Sequence, residues 1–372
     1  MTDSEAPARP SGSGSPADMT PPPASSAAEI GDPGPVGGLW RGAGVFLALV
    51  VAAGLVAAVV GTAVTEPPDV PGFTPSPVVR FGIPAVRLLL DFGAAAAVGL
   101  ALAAKLLGFD QPERTEPVLA PSRRWAVWAS AVWVAAALIS VVLLTAELAP
   151  GQWVTPAAVW RYVTSIAAGK GLLLSAACGA LSWWLWRLSL RHGEKVPAEL
   201  RAGVALFGLL PLPLTGHASN WYYHDLSMVS MELHVTASSA WAGGLAALVV
   251  LLARHRDLLA IALPRFSKLA TWCVFVVGVS GIANGLLELY LSPITALPSS
   301  LWETRYGVLL LAKAACLATV AVIAIHVRRR VLPAVAEGRR TAFAAWCGWE
   351  VTVLAVAFAV AVVLTRAEVV AF

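Results

Sequence analysis

The sequence predicts an all-α fold, a polytopic transmembrane helical bundle of about nine helices. Two observations carry this prediction. The first is composition: 58% of the residues are hydrophobic and only 13% are charged, whereas soluble domains carry roughly a quarter charged residues. The second is pattern, because the apolar residues form long runs, and a helix needs about 20 mainly apolar residues to cross a bilayer. The connections between the runs are brief, so we expect one bundle without a separate soluble domain.

The first 39 residues differ from the rest of the chain. They are rich in Pro, Ser, Gly and Ala and show no apolar periodicity. Such a segment cannot bury enough surface to offset the entropy of ordering it, so 1–39 is predicted to be a disordered tail. It is too long and too weakly basic for the n-region of a signal peptide. We therefore expect the first apolar run to be retained as a membrane anchor.

Apolar runs follow the tail in two groups. Four helices are predicted in residues 40–195 and five in residues 196–372, and the second group carries the candidate site. The fifth run is short and contains Pro211 and Pro213, which free backbone carbonyls and bend the chain. The predicted spans are 40–64, 84–108, 125–148, 157–187, 199–215, 226–252, 264–290, 306–327 and 343–365.

Lys and Arg are distributed unevenly between alternate loops. The positive-inside rule places the loops that are richer in these residues in the cytoplasm. The sequence therefore predicts a cytoplasmic N-terminus and an external C-terminus. The external side carries Arg80, Arg87, Arg161, Arg305 and Arg366. The cytoplasmic side carries Lys105, Arg114, Arg123, Arg124, Arg187, Arg191, Lys195, Arg201, Arg254, Arg256, Arg265, Lys268, Arg328, Arg329, Arg330, Arg339 and Arg340.

Histidine and methionine concentrate in one window at the start of the predicted sixth helix. It holds His217, His224, Met228, Met231 and His234. Imidazole and thioether groups favour copper over calcium, magnesium or manganese; thioethers select Cu(I), and imidazole accepts Cu(I) or Cu(II). The predicted orientation puts the first two histidines at the external interface. The other three side chains descend along one side of the helix. The pattern predicts an outward-facing copper site.

Other polar side chains gather in the same half of the predicted bundle. They include Glu232, Asn284 and Lys313, whereas Glu350 lies in the inner half. Ionisable groups in a bilayer usually face the bundle interior, a water cavity or a partner. We predict a polar chamber that opens outward, in which these residues support the copper ligands. The alternative is structural, with Lys313 and Glu232 only holding helices together.

Composition and motifs argue against several other functions. The net charge of +4 comes from short basic loops, so we predict no nucleic-acid partner. The four cysteines lie in separate apolar runs without a CxxC pair, which predicts buried thiols rather than disulfides or a zinc site. We find no phosphate-cradling glycine loop, catalytic triad or HExxH motif, so the protein is predicted not to be an enzyme.

Three stretches occur in order along residues 200–365. The first is Gly216-His217-Ala218, followed by His234 and Ala240–Leu245. The second is Arg265–Ala270, which leads into Gly278–Asn284. The third is Thr304–Gly307, followed by Lys313 and Arg328–Arg330. As an ordered set they resemble the CopD family of copper-resistance and copper-uptake membrane proteins. The first four helices are similar to that family only in general character.

The CopD resemblance implies a multi-pass protein of the bacterial plasma (inner) membrane that handles copper. It also implies a periplasmic copper carrier of the CopC type as partner. His217 and His234 stand at the family's histidine positions, and Asn284 and Lys313 are accompanying polar positions. The remaining candidate ligands come from the pattern of residues alone.

Three functions stay open from the sequence. The first is copper binding and transport, as uptake or relay. The second is delivery of copper to a respiratory oxidase during its assembly, which would use the same outer site. The third is a haem- or quinone-binding membrane cytochrome, because paired histidines on neighbouring helices can ligate haem. Only His234 lies well inside a predicted helix, which disfavours the third.

Overall fold

The long apolar runs fold into helices, and the computed structural model describes residues 36–65, 74–108, 111–215, 224–291, 298–337, 339 and 341–367. Side chains at 36–41, 224 and 291 lie outside this description. Within it, the α-helices are α1 Val36–Thr65, α2 Pro77–Leu107, α3 Pro112–Glu147, α4 Pro156–Ser165, α5 Ala167–His192, α6 Ala198–Phe207, α7 His224–Leu252, α8 Arg256–Leu291, α9 Ser300–Glu303, α10 Arg305–His326, α11 Leu332–Ala336 and α12 Phe343–Leu364.

The described helices confirm an all-α polytopic membrane bundle. Eight of them are long and apolar enough to cross a membrane, and α4 with α5 makes a ninth if this bent pair is one span. Residues 1–35 of the predicted tail lie outside the described part, and α1 begins at Val36. The segment up to Gly44 forms a unit of its own, while Val45 onward forms one compact unit.

The fourth predicted span, 157–187, is bent rather than straight. Its first helix, α4, ends at Ser165, and Ile166 is extended before α5 begins at an angle of 95° to α4. The bend places Gly169 against the backbone of Tyr162, where an added Cβ would lie 2.8 Å from the Tyr162 carbonyl oxygen. A glycine is therefore required for this close approach.

The fifth span ends irregularly, as its two prolines predict. Helix α6 stops at Phe207, and a turn leads into a short 3₁₀ segment, Leu212–Thr215. Arg87 on α2 donates a hydrogen bond to the Thr215 hydroxyl and pairs with Asp91 at 3.2 Å. These contacts fix the chain immediately before residues 216–223, which lie outside the described residues and include His217.

Helix α7 occupies the centre of the bundle, in contact with α2, α8 and α12. Its crossing with α2 is a backbone contact. A Cβ added to Gly99 would overlap the Gly243 backbone, and one added to Gly243 would overlap the Ala95 backbone. Small residues allow such close helix approach in membranes. By contrast, α8 leaves Trp272, Phe275 and other large apolar side chains exposed at the periphery, as expected of a lipid-facing helix.

Buried ion pairs close one end of the bundle. Glu194 accepts hydrogen bonds from Arg123 of α3 at 2.9 Å and from Arg201 of α6 at 2.5 Å. Both arginines are buried, and the Arg201 guanidinium lies 4.4 Å from the Trp186 ring centroid. We call this end of the bundle the basic end. It also includes the loop at Arg254 and the π-helical turn at Arg328.

Candidate functional site

A polar seam joins α7 to α8 in the half of the bundle that is remote from the basic end. On α7 it consists of Ser227, Ser230 and His234, whose spacing of three and four puts them on one face. On α8, Asn284 donates its amide N–H to Ser230 Oγ at 2.9 Å and accepts from Ser227 Oγ at 3.2 Å. These hydrogen bonds hold the two helices in register around His234.

His234 is the buried histidine of this seam, with 7% of its surface exposed. Its Nδ1 lies 2.9 Å from Ser280 Oγ on α8, and that hydroxyl donates to the Val276 carbonyl oxygen at 2.5 Å. Because the Ser280 hydroxyl proton is donated to the Val276 carbonyl oxygen, Ser280 Oγ acts as the acceptor for His234 Nδ1–H. This network assigns the tautomer. It leaves Nε2 with a free lone pair, the form in which imidazole binds metals.

Lys313 on α10 faces that lone pair. Its Nζ lies 3.5 Å from His234 Nε2. Within the described residues, no carboxylate oxygen lies within the 4.0 Å ion-pair limit of Lys313. Glu232, the partner in the structural alternative, lies two residues before His234 and so projects from nearly the opposite side of α7. The described geometry therefore does not support a Lys313–Glu232 helix tie.

Gly281 makes room for the His234 ring. A Cβ added at Gly281 would lie 3.1 Å from His234 Cε1, which is tighter than nearly all real Cβ contacts. Gly285, one turn later on α8, lies against the Leu310 side chain of α10. The two small residues let α7 and α10 approach α8 from either side, and so bring His234 and Lys313 together.

The other predicted ligands have different positions. His217 lies outside the described residues, and His224 begins α7 with its side chain undescribed. Met231 is one turn before His234 and Met228 nearly two turns before it, both partly exposed. At about 100° per residue they are rotated by about 60° and about 120° from His234 around the α7 axis. Met231 is therefore the sulfur better placed to reach His234.

The structure brings together His234, Asn284 and Lys313 of the predicted set. Among the side chains it describes, no three His, Cys, Asp or Glu residues converge as a metal site. A complete copper ligand set at His234 thus depends on His217, His224 or the methionine sulfurs. The same reasoning applies to haem, whose second axial histidine would have to be His217 or His224.

Ser280, Gly281, Ser227 and Ser230 were not predicted as site residues. A signal for Ser280 exists in the sequence, because Ser280 and Asn284 are four apart in an otherwise apolar run. Polar side chains at that spacing in a membrane helix mark a helix–helix interface. The serines of α7 carry no comparable signal, since serine is common at helix beginnings.

The fold and this seam define a multi-pass helical membrane protein with a buried histidine between a serine hydroxyl and a lysine amine. Two family profiles match the chain in order. Residues 78–225 match the Copper resistance protein D-like, N-terminal domain, and residues 260–364 match Copper resistance protein D. Together these matches span more than half of the chain. The chain therefore belongs to the copper resistance protein D, or CopD, family, and the resemblance drawn from its motifs is confirmed.

The chain is also similar to the copper transport protein CutJ of Bacillus subtilis (strain 168). The two are 35% identical over 130 residues, which are 33% of this chain and 23% of that relative. The chain thus matches less than a quarter of the relative's length. No solved structure matches the chain. Asn284 and Lys313 lie in the second matched segment, whereas His234 lies between the two.

Proposed function

We propose that the protein binds copper at an outward-facing site centred on His234 and moves it across, or relays it along, the bacterial plasma membrane. The observation that carries this proposal is the contact between His234 and Ser280. Nδ1 of this buried imidazole lies 2.9 Å from Ser280 Oγ, and the tautomer assigned from that contact leaves Nε2 without a proton. Ligating histidines usually donate their second ring N–H to such a partner, which fixes the ring and raises its basicity.

In this proposal the entrance to the site is built from the start of α7 and the segment before it. His217 and His224 bind arriving copper at the membrane surface. Met231 and Met228 then lead it toward His234, since thioethers favour Cu(I) and imidazole accepts either oxidation state. A periplasmic carrier of the CopC type is the proposed donor, and the Arg87–Thr215 contact fixes one end of the segment that meets it.

Lys313 acts as the competing cation. Copper can reach His234 Nε2 only if the lysine ammonium moves away or gives up its proton. Two unit charges 4 Å apart repel by about 4 kcal/mol at an effective dielectric constant of about 20. The lysine thus holds the empty site closed and lowers its affinity for copper. A transport site has to release its cargo, so a moderate affinity suits relay better than storage.

The test is copper binding by the full-length protein purified in detergent. We expect wild-type protein to retain Cu(I) against a chromogenic chelator and the His217→Ala/His234→Ala variant to lose the Cu(I) that is held at this outer site. His192→Ala is the matched control, because His192 is an exposed histidine at the end of α5. Equal copper stoichiometry and affinity in the double variant and wild type would show that the proposed site is wrong.

A further inference from the structure

A cavity of about 250 Å³ lies between α7, α8, α10 and α12, on the basic-end side of His234. Trp241 forms its upper limit. Trp241 follows His234 by two turns of α7, so the two side chains share a face and are separated by about 10.5 Å along the helix axis. The cavity therefore begins directly below the site proposed for copper.

Two residues of α12, Cys347 and Glu350, line this cavity. They are three apart, so both project from the same face of the helix, and they are close enough to interact electrostatically. The Cys347 side chain is fully buried and Glu350 is only 4% exposed. A buried thiol and a buried carboxylate thus line the same open cleft between these helices.

Glu350 presents a carboxylate to this cavity. The Trp241 indole N–H hydrogen-bonds to the carboxylate. Over the part of the chain that the structure describes, no Lys, Arg or His nitrogen lies within the 4.0 Å ion-pair limit of its oxygens. A carboxylate has room for about four hydrogen-bonded or coordinated partners, and a buried one needs a proton or a cation. Glu350 therefore has unused binding capacity that points into the cavity.

Arg328 closes the other end of the cavity. It lies on the π-helical turn Val327–Val331 and donates hydrogen bonds to the carbonyl oxygen and hydroxyl of Ser267 at 2.8 and 2.9 Å. Both residues line the cavity, and the contact ties α10 to α8 at its mouth. Single π-turns in helices often occur at functional positions. The thiol–carboxylate pair thus lies in a cleft whose lining extends from Trp241 to Arg328 at the basic end.

We propose that this cavity is a second copper site, which binds Cu(I) through the sulfur of Cys347 and an oxygen of Glu350. The inference rests on the proposed function, because it supplies the next station for copper released from His234. Thiolate sulfur is one of the soft ligands that favour Cu(I), as it also favours zinc. The site lies toward the side that the positive-inside rule assigns to the cytoplasm, so it gives the copper path an inner half.

The S–H bond of Cys347 breaks, an S–Cu bond forms, and the released proton leaves to solvent. One Cu⁺ thus replaces one H⁺, so the buried charge is unchanged and the Glu350 oxygen stays available to bind Cu(I). Copper remains Cu(I) throughout, and one proton is released for each Cu(I) that enters, as metal binding to a thiol requires.

The test uses full-length protein in which the outer site has been removed by His217→Ala, His224→Ala, His234→Ala, Met228→Leu and Met231→Leu. We expect this background to retain one Cu(I), with Cu–S scattering in its X-ray absorption spectrum. Adding Cys347→Ser removes the bound copper and the Cu–S signal, and adding Glu350→Gln weakens binding by at least tenfold. The matched controls are Cys273→Ser, another buried thiol on α8, and Glu288→Gln, a partly buried carboxylate on the same helix. Both are expected to retain the copper.

The outcomes separate the two proposals. If wild-type protein binds copper but the outer-site background binds none, the inner site is wrong and the proposed function stands. If the background binds copper that Cys347→Ser does not affect, the ligands assigned here are wrong. If the wild-type protein itself binds no copper, both proposals fall. In a background that also carries Cys178→Ser, Cys273→Ser and Cys316→Ser, Cys347 is the remaining cysteine, so a Cu–S signal there assigns the sulfur even if Cys347→Ser does not fold, and its absence overturns the assignment.

Discussion

Lys313 Nζ lies 3.5 Å from His234 Nε2, so the basic nitrogen of a buried imidazole faces an amine on a neighbouring helix. A carboxylate at this place would form an ordinary helix tie and add to the attraction for a metal cation. An ammonium does the opposite, because it competes with copper for the same lone pair. The pair therefore links the state of α10 to the occupancy of a site on α7.

Replacing Lys313 is expected to strengthen copper binding. The Lys313→Leu variant removes the repulsion at His234 Nε2 without adding a ligand for copper. Even a third of the roughly 4 kcal/mol of repulsion expected for a close pair corresponds to about a tenfold gain in affinity. Competition with a Cu(I) chelator measures it. Lys170→Leu, at an exposed lysine of α5, should change nothing, and an unchanged affinity in Lys313→Leu would show that the lysine does not compete.

Gly281→Ala is expected to weaken copper binding at His234. The new Cβ would lie 3.1 Å from the imidazole Cε1, so the ring has to shift away from Ser280. We expect an affinity loss of about tenfold, the lower end of the range for residues that orient a ligand. Gly278→Ala, on the same helix, is the control, because a Cβ added at Gly278 would have no atom within 4 Å. Equal affinities in the two variants would contradict the packing described for the ring.

Ser280→Ala should reduce copper affinity by about 10–100-fold, as is usual when the outer partner of a ligating histidine is removed. Without the Ser280 acceptor, the Nδ1–H loses its partner and the ring can turn or change tautomer. Ser238→Ala serves as the control, since that hydroxyl bonds to the Val235 carbonyl oxygen of its own helix. The chemical shifts of the His234 ring nitrogens report the tautomer directly, and a spectrum unaffected by Ser280→Ala would count against this role.

Glu194→Gln is expected to destabilise the bundle without altering copper binding at the outer site. The carboxylate bridges Arg123 and Arg201, both buried. Arg123 keeps its ion pair with Glu116 at 2.6 Å, whereas Arg201 has no other ion pair among the described residues, so its charge is left uncompensated. Breaking a buried ion pair in this way typically costs about 3–5 kcal/mol. A lowered apparent melting temperature in detergent would show it. The exposed Lys105–Glu199 pair provides the comparison: Glu199→Gln should leave the melting temperature unchanged.

Local properties of the chain predicted most of the fold. Hydropathy and run length gave the helical spans, and the prolines at 211 and 213 predicted the early end of α6. The break at Ile166 was not predictable in the same way, because no proline or capping residue marks it. It becomes understandable only when Gly169 is seen against the Tyr162 backbone, which is a contact between two helices.

The candidate site was predictable as a composition but not as a geometry. His234, Asn284 and Lys313 are conspicuous because they are polar residues in apolar runs. Their distances depend on how α7, α8 and α10 pack, and the sequence carries no direct record of that packing. Ser280 was overlooked for the same reason, since one hydroxyl is unremarkable until it is found beside an imidazole. The inner cavity has the same origin, because its members come from four different helices.

The glycine crossing between α2 and α7 limits how the protein can move. Where two backbones touch at Gly99 and Gly243, neither helix can slide without a collision, so this pair serves as the fixed frame. For the copper path proposed above, we therefore expect motion in α8 and α10 rather than in this pair, and such motion would break the Arg328–Ser267 contact.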